Sequence, residues 1–342
     1  MAKTFFGLAV RVFFRAIVAI VLLVGVLLIA FNFPVESKNG QMEFGISFSN
    51  IQARALELDW KETYIQMLED LRPKRVRIGA YWTEIEQEDG SYDFSDLDWQ
   101  VTEAQKRDTE LILVFGIKVP RWPECHIPER YKTDKQGRED ALMKYEKAIV
   151  ERYKDYENIK VWQVENEPFL NFGDCIKDAV DTALLDREIA QVRELDDSRP
   201  IMITDSGELS IWIPVARRAD VFGTTLYRII YKEPFGYVEY PLGPAFFRIK
   251  GWLIKTFAGQ ENVVVSELQA EPWGTAWLPH MTIEEQYVSM NPEKFQEIIE
   301  YTQKTNFSEA YLWGVEWWYW LKVKKDIPDM WEEARKVMTQ RQ

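Results

Sequence analysis

From residue 42 onward, eight short apolar runs rich in β-branched residues recur with helical stretches between them. They occupy 44–49, 75–81, 110–116, 159–166, 200–207, 220–227, 262–268 and 309–317. A continuous apolar run of this length reads as a strand buried on both faces, the condition of a parallel sheet covered by helices. Between the runs, Trp60, Tyr64, Met67 and Leu71 recur at helical spacing, 141–153 and 283–305 carry helical patterns, and 328–338 supplies a closing helix with Pro328 in its first turn. Eight strands alternating with helices in roughly 300 residues predict an α/β fold, a closed (β/α)8 or TIM barrel. The rival, an open doubly wound sheet, carries a glycine-rich phosphate turn after its first strand, and Phe48-Ser49-Asn50-Ile51 is not one. No internal repeat, low-complexity tract or second domain interrupts the pattern.

The first 41 residues follow a different rule. Lys3, Arg11 and Arg15 precede an uncharged apolar stretch from Ala16 to Phe33. Its length, roughly 18 residues, suits a single transmembrane helix at the short end of the range. The basic flank favours the cytoplasmic side and places the remaining chain outside. The expected organisation is therefore a basic cytoplasmic segment (1–15), a signal anchor (16–33), a linker (34–41) and the barrel (42–342). A cleaved signal peptide, which would leave the barrel secreted, is the competing reading. The run is long for a signal core, and Ile29-Ala30-Phe31-Asn32-Phe33 offers no clear small-x-small cleavage site.

In a barrel of this kind, chemistry collects where strands end and the following loops begin. Two such ends carry a carboxylate: Val-Trp-Gln-Val-Glu-Asn-Glu-Pro (161–168) presents Glu167, and Val-Val-Val-Ser-Glu-Leu (263–268) presents Glu267. Asn166 precedes Glu167, Arg77, Tyr227 and Trp313 stand at other strand ends, Trp122 follows strand three, and Trp317 closes strand eight. Two carboxylates converging from strand ends supply the acid and the nucleophile or base that glycosidic bond cleavage requires. Plainer readings stand beside these. Glu167 suits a helix N-terminus, Glu267 a structural ion pair with Arg77, Tyr227 and Trp313 the core, and Arg77 barrel stability.

The two cysteines, Cys125 and Cys175, follow neighbouring strands, and an extracytoplasmic body permits a loop-to-loop disulfide between them. A metal site from Cys125, His126 and Cys175 is the weaker alternative, since the spacing matches no zinc pattern and the only other histidine is His280. No metal and no cofactor are expected. Net charge is −13 and no basic stripe offsets the acid excess, which argues against a nucleic-acid partner. The chain carries 14 Trp, 15 Tyr and 19 Phe; core packing is the default use for most of them, with stacking on sugar rings the second.

Taken together, Asn166-Glu167-Pro168 on strand four and Ser266-Glu267 on strand seven, supported by Arg77, Tyr227, Trp313 and the segment 84–98, resemble the retaining glycoside hydrolases of the β/α-barrel clan that includes families 5, 39 and 42. The resemblance spans nearly all of residues 42–340. It implies Glu167 as general acid/base and Glu267 as nucleophile, acting on a β-linked oligo- or polysaccharide. It also implies Asn166 on the sugar 2-hydroxyl and Trp313 as an apolar platform, with Arg77, Tyr227, Trp122 and Trp317 at the substrate. The chain departs from the family 5 pattern at Thr225, where a histidine is usual before the strand-six tyrosine, and at strand three, which ends without a histidine. A transglycosylase with the same pair, or a non-catalytic glycan-binding barrel, is the alternative. Oligomeric state leaves no mark on the sequence.

Overall fold

A computed structural model describes residues 2–37, 42–177 and 179–339, with side chains from residue 13 onward. Linker residues 38–41 and the side chains of Lys3 and Arg11 lie outside the described residues. Among the described residues ten strands form: β1 (Glu43–Phe48), β2 (Arg75–Gly79), β3 (Glu110–Phe115), β4 (Ile159–Val164), β5 (Ile201–Asp205), β6 (Val221–Leu226), β7 (Ile229–Lys232), β8 (Gly236–Glu239), β9 (Val263–Gln269) and β10 (Glu309–Trp313). Eight of them close into a parallel barrel in the order β1-β10-β9-β6-β5-β4-β3-β2. The pair β7–β8 is an antiparallel hairpin outside it, and the sequence reading missed this pair.

All eight expected barrel strands are present, and most end before the predicted boundary. Polar residues that close several of the runs, such as Asn166-Glu167 and Ser206-Gly207, already belong to the loops. The largest overrun is at the last strand: β10 stops at Trp313, Gly314 turns with φ 142°, and residues 315–317 open the helix Val315–Lys324. The expected helix over 283–305 is two helices, Ile283–Ser289 and Pro292–Gln303. Asn291 caps the second by accepting from the Lys294 amide, and Pro292, which lacks an amide hydrogen, sits where that hydrogen is not needed.

Strand alternation sorts side chains into two populations. Outward residues such as Val76, Ile78, Leu111, Leu113, Trp162, Ile203 and Val265 join the large core beneath the helices. Inward residues Ile112, Val161, Met202, Val264 and Tyr311 form a separate plug inside the barrel. Tyr311 fits because β1 carries Gly45 opposite it: a Cβ there would lie 2.6 Å from the tyrosine ring. Above this plug the interior turns polar, with Arg77, Gln163, Thr204 and Ser266 all buried.

A β-bulge decides the orientation of Glu267. Both neighbours of β9 slip register around Ser266: β6 pairs Thr224 with Val265 but Thr225 with Glu267, and β10 pairs Ala310 with Val265 but Leu312 with Leu268. By simple alternation Glu267 would share the outward face of Val263 and Val265. The extra residue reverses the parity and turns Glu267 into the barrel mouth.

The N-terminal helix runs over Ala2–Phe31. Its apolar portion, Phe13–Phe31, spans 19 residues and is 0% buried, so by length and composition it is able to cross a membrane. Among the described residues, its end meets the barrel. The Phe31 ring packs edge-on against Phe246 at 5.1 Å between centroids, and the Asn32 side chain donates to the Pro241 carbonyl at 3.1 Å.

Candidate active site

Arg77 organises the barrel mouth. Its guanidinium, 1% exposed, donates Nε to Gln163 at 2.7 Å, Nη2 to Asn166 Oδ1 at 2.7 Å, and Nη1 to both the Ser266 carbonyl and Glu267 Oε1 at 3.3 Å. The other oxygen of Glu267 accepts from the Tyr227 hydroxyl at 3.0 Å. Burial, and then the charge of Glu267, raises the Tyr227 phenol well above its ordinary range, so the hydroxyl stays a donor. Both oxygens of Glu267 are thus held in place by donors.

Glu167 sits differently. Its carboxyl receives one long contact, from the Thr225 hydroxyl at 3.4 Å. Burial first, then the charges of Glu267 and Glu124, raises its pKa well above the carboxylate range and so favours the protonated form. The buried cation Lys118 acts against that rise, but its ammonium donates to the main-chain carbonyls of Glu167 and Leu170, both at 2.7 Å.

The backbone carrying Glu167 is itself unusual. Glu165 and Glu167 have φ of 61° and 47°, left-handed values that cost roughly 1–2 kcal/mol each for an L-residue. Surrounding bonds hold them there. The Glu165 carboxyl accepts the amides of Ile117 and Lys118 at 2.6 Å, Asn166 N donates to the Lys118 carbonyl, and Glu167 N donates to Thr204 Oγ1 at 2.9 Å. This turn sends Glu165 outward toward Glu146 and Glu188 on the surrounding helices, while Asn166 and Glu167 face the mouth. Burial raises Glu165 and Glu188 well above their usual values and Glu146 to about 8.

The remaining wall comes from the loop after β3. Arg121 pairs with Glu271 and with Glu316, the latter at 2.7 Å, and its guanidinium lies 3.9 Å over the Trp313 ring. Trp313 Nε1 donates to Glu271 at 2.9 Å. Desolvation in the cleft and the charge of Glu267 push Glu124 up to about 7. Cys125 is disulfide-bonded to Cys175, with 5.2 Å between Cα atoms, which ties the loops after β3 and β4 together. Among the described residues no group of three His, Cys, Asp or Glu is placed to hold a metal ion.

Six of the residues singled out in the sequence therefore meet at one end of the barrel: Arg77, Asn166, Glu167, Tyr227, Glu267 and Trp313. Trp122 is on the rim, 64% exposed. Trp317 is not at the mouth. It begins a helix instead of ending a strand, is 0% exposed, and its indole donates to Gln286 at 2.7 Å. Sequence reasoning missed Arg121, Lys118, Glu124, Gln163 and Thr204. A polar residue at an inward strand position betrays Gln163 and Thr204; the loop residues carry no such signal.

A family model described as cellulase (glycosyl hydrolase family 5) matches residues 39–212, half of the chain. The match includes Arg77 and Asn166-Glu167 and stops before Tyr227 and Glu267. No curated protein matches. Similar solved structures include a monomeric beta-xylosidase from Caulobacter crescentus CB15, at 16% identity and TM-score 0.57, covering 80% of this chain and 59% of that one. An exo-beta-1,4-mannosidase from Opitutaceae bacterium strain TAV5 matches at 13% identity and TM-score 0.58, covering 91% and 61%. Xylanase 10B from Thermotoga petrophila RKU-1 matches at 14% identity and TM-score 0.56, covering 87% and 94%. The chain spans about three fifths of the first two of these structures. At such identities the likeness is one of fold.

Proposed function

The chain belongs to the cellulase family, glycosyl hydrolase family 5, and on that premise we propose that it cleaves a β-linked glycan by double displacement. Glu267 is the nucleophile and Glu167 the general acid/base. The observation that carries this reading is the unequal treatment of the two carboxyls. Glu267 has a donor on each oxygen, from Arg77 and Tyr227, which fixes it for attack. Glu167 is buried, nearly without donors, and raised by the neighbouring charge.

In the first step Glu267 attacks the anomeric carbon while Glu167 passes its proton to the departing glycosidic oxygen. The Glu267 negative charge is consumed in the glycosyl ester, so the influence that raised Glu167 falls away. Glu167 then acts as base toward the incoming water, and the ester is released with net retention. Asn166, fixed by Arg77 and by Thr204 Oγ1 at 2.9 Å, is positioned for the sugar 2-hydroxyl. Trp313, backed by Arg121, supplies an apolar surface at the cleavage point.

The N-terminal helix supports an anchored enzyme, with Lys3, Arg11 and Arg15 on the cytoplasmic side and the barrel outside. Transfer to a sugar acceptor is a second reading, favoured by the aromatic residues Phe172 and Trp273, whose rings lie 6.3 Å apart near Tyr227. The deciding experiment is the anomeric configuration of the first product, followed by NMR on a panel of β-glycans with and without added acceptor sugar. Retention is expected; inversion overturns the double displacement, and acceptor-dependent products select transfer over hydrolysis.

A further inference from the structure

The apolar helix at the N-terminus leaves the barrel at a defined place, and the surface next to that place has a composition unlike the rest of the molecule. Phe13–Phe31 is about 28 Å long at 1.5 Å per residue, close to a hydrocarbon thickness. Its end is fixed against the start of the helix Pro244–Ala258 by the Phe31–Phe246 contact, the Asn32–Pro241 bond, and Arg248, whose guanidinium donates to the carbonyl of Glu36.

That helix is apolar on two sides. Phe247 and Ile254 are buried in the core beneath the helices. Ile249, Trp252, Leu253 and Phe257 recur at three- and four-residue spacing on the opposite face, with Trp252 60% and Phe257 55% exposed. Beside the helix, the segment after β5 exposes Leu209 and Ile211, and is tied to it by Lys250, which donates to the Gly207 and Ser210 carbonyls. Such an apolar band on a soluble flank needs a partner.

Charge identifies the partner. The chain carries 55 acidic residues, yet none falls in 240–260 or 209–219. In these segments Arg217, Arg248 and the buried Lys250 bond main-chain carbonyls, while Arg218 and Lys255 pair with Asp186 and Glu261 from outside them. On the other side of the anchor's base, by contrast, the helix Pro292–Gln303 carries Glu293, Glu297 and Glu300. An aromatic, basic-fringed face whose own segments carry no acid, continuous with an apolar span, matches the interfacial zone of a lipid bilayer.

We propose that the outward face of the helix Pro244–Ala258, with Leu209 and Ile211, rests in the membrane interface, so that the barrel lies on its flank against the bilayer instead of hanging from a free tether. This rests on the anchored reading of the N-terminal helix. It bears on substrate class, because the segment 240–242 lies at the strand-end side of the barrel near Arg228, whose guanidinium donates to the Leu242 carbonyl. The mouth then opens beside the membrane, toward glycans held close to the surface.

Residues 1–33 contain no tryptophan, so tryptophan fluorescence of the full chain reports only on the barrel. The test is quenching by lipids brominated on their acyl chains, with the full chain in nanodiscs, comparing the parent with W252F and with W277F on the loop after β9. Bromine quenching is expected in the parent, retained in W277F and mostly lost in W252F. A chain that co-elutes with the discs but shows no quenching, or equal quenching in parent and W252F, overturns the resting face and leaves the anchor standing. A chain that elutes free of the discs overturns both. A disc holding two copies, with Trp252 shielded from lipid, assigns the face to self-association and likewise overturns the proposal.

Discussion

Arg75 and Arg77 sit two residues apart on β2, both inside the barrel, and they serve opposite ends of it. At the lower mouth Arg75 reaches Glu110, with Nε at 3.0 Å, and both oxygens of Glu309, at 2.8 and 2.7 Å, while Tyr311 also donates to Glu309. At the upper mouth Arg77 and Tyr227 hold Glu267 in a similar way. The parts are alike: an arginine, a tyrosine and a glutamate. The surroundings differ. The lower ion pairs keep 20–27% of their side-chain surface in solvent, whereas Arg77 and Glu267 keep 1% and 6%. The upper cluster also includes Glu167 and Glu124, which have no cation of their own. A satisfied, partly hydrated ion pair stabilises the fold modestly; a buried carboxylate excess stores protons and directs one group's charge onto another.

The sharpest way to break this comparison is to neutralise the corresponding glutamates. E267Q is expected to lower kcat on the order of 10⁴-fold or more, because no other group completes the attack. E309Q should leave kcat within a few-fold of the parent and act only on thermal stability. Equal kinetic losses in the two variants would show that the ends are not functionally distinct.

Next is E167A. Removing a general acid is expected to cost about 10²–10⁴-fold on substrates with poor leaving groups and little on the first step with good ones, with azide restoring turnover. In the parent, kcat/KM should fall on the alkaline side as Glu167 loses its proton, since its folded pKa lies well above the usual carboxylate value. E167A should lack that limb on activated substrates.

Exchanging the arginines sharpens the contrast further. R77K loses the forked contacts to Gln163, Asn166 and Glu267 together, and is expected to reduce kcat about 10²–10³-fold, as loss of a pre-oriented electrostatic donor does. R75K is expected to change stability by about 1 kcal/mol or less, readable in a denaturant titration, with activity unchanged.

A smaller effect on catalysis is expected from C125S/C175S. The staple closes a 50-residue separation across the upper loops only, and its loss should destabilise the fold by about 2–4 kcal/mol. KM should rise more than kcat falls, because Arg121, Trp122 and Glu124 lie on the loop it holds.

The smallest effect concerns pH and stability. Glu146 has a folded pKa near 8 against an ordinary value of 4.5, so the folded state binds an extra proton between those limits. Its stabilising effect is complete below pH 4.5 and is lost as pH rises through about 8. The Tm difference between E146Q and the parent should therefore grow across that window and level off above it. A difference that stays constant with pH would mean that Glu146 is ionised in the folded protein.

The sequence by itself determined the barrel. Eight apolar β-branched runs alternating with helical patterns leave few ways to bury both faces of every strand, and local patterning encodes that requirement directly. It also marked Asn166-Glu167 and Glu267, because carboxylates closing apolar runs are conspicuous. Strand ends were legible only approximately. Trp317 was misplaced because Leu-Trp-Gly-Val-Glu-Trp-Trp continues the apolar run past the point where Gly314 turns the chain into a helix. The face on which Glu267 lies was a tertiary decision: alternation along β9 points it at the helices, and only the register slip against β6 and β10 brings it inward. Tertiary contacts also raise the proton affinity of Glu167, since the neighbouring charges of Glu267 and Glu124 come from other strands and loops. Periodicity is a property of neighbours in sequence, whereas the direction of a side chain at a bulge and the field at a buried carboxyl depend on neighbours in space.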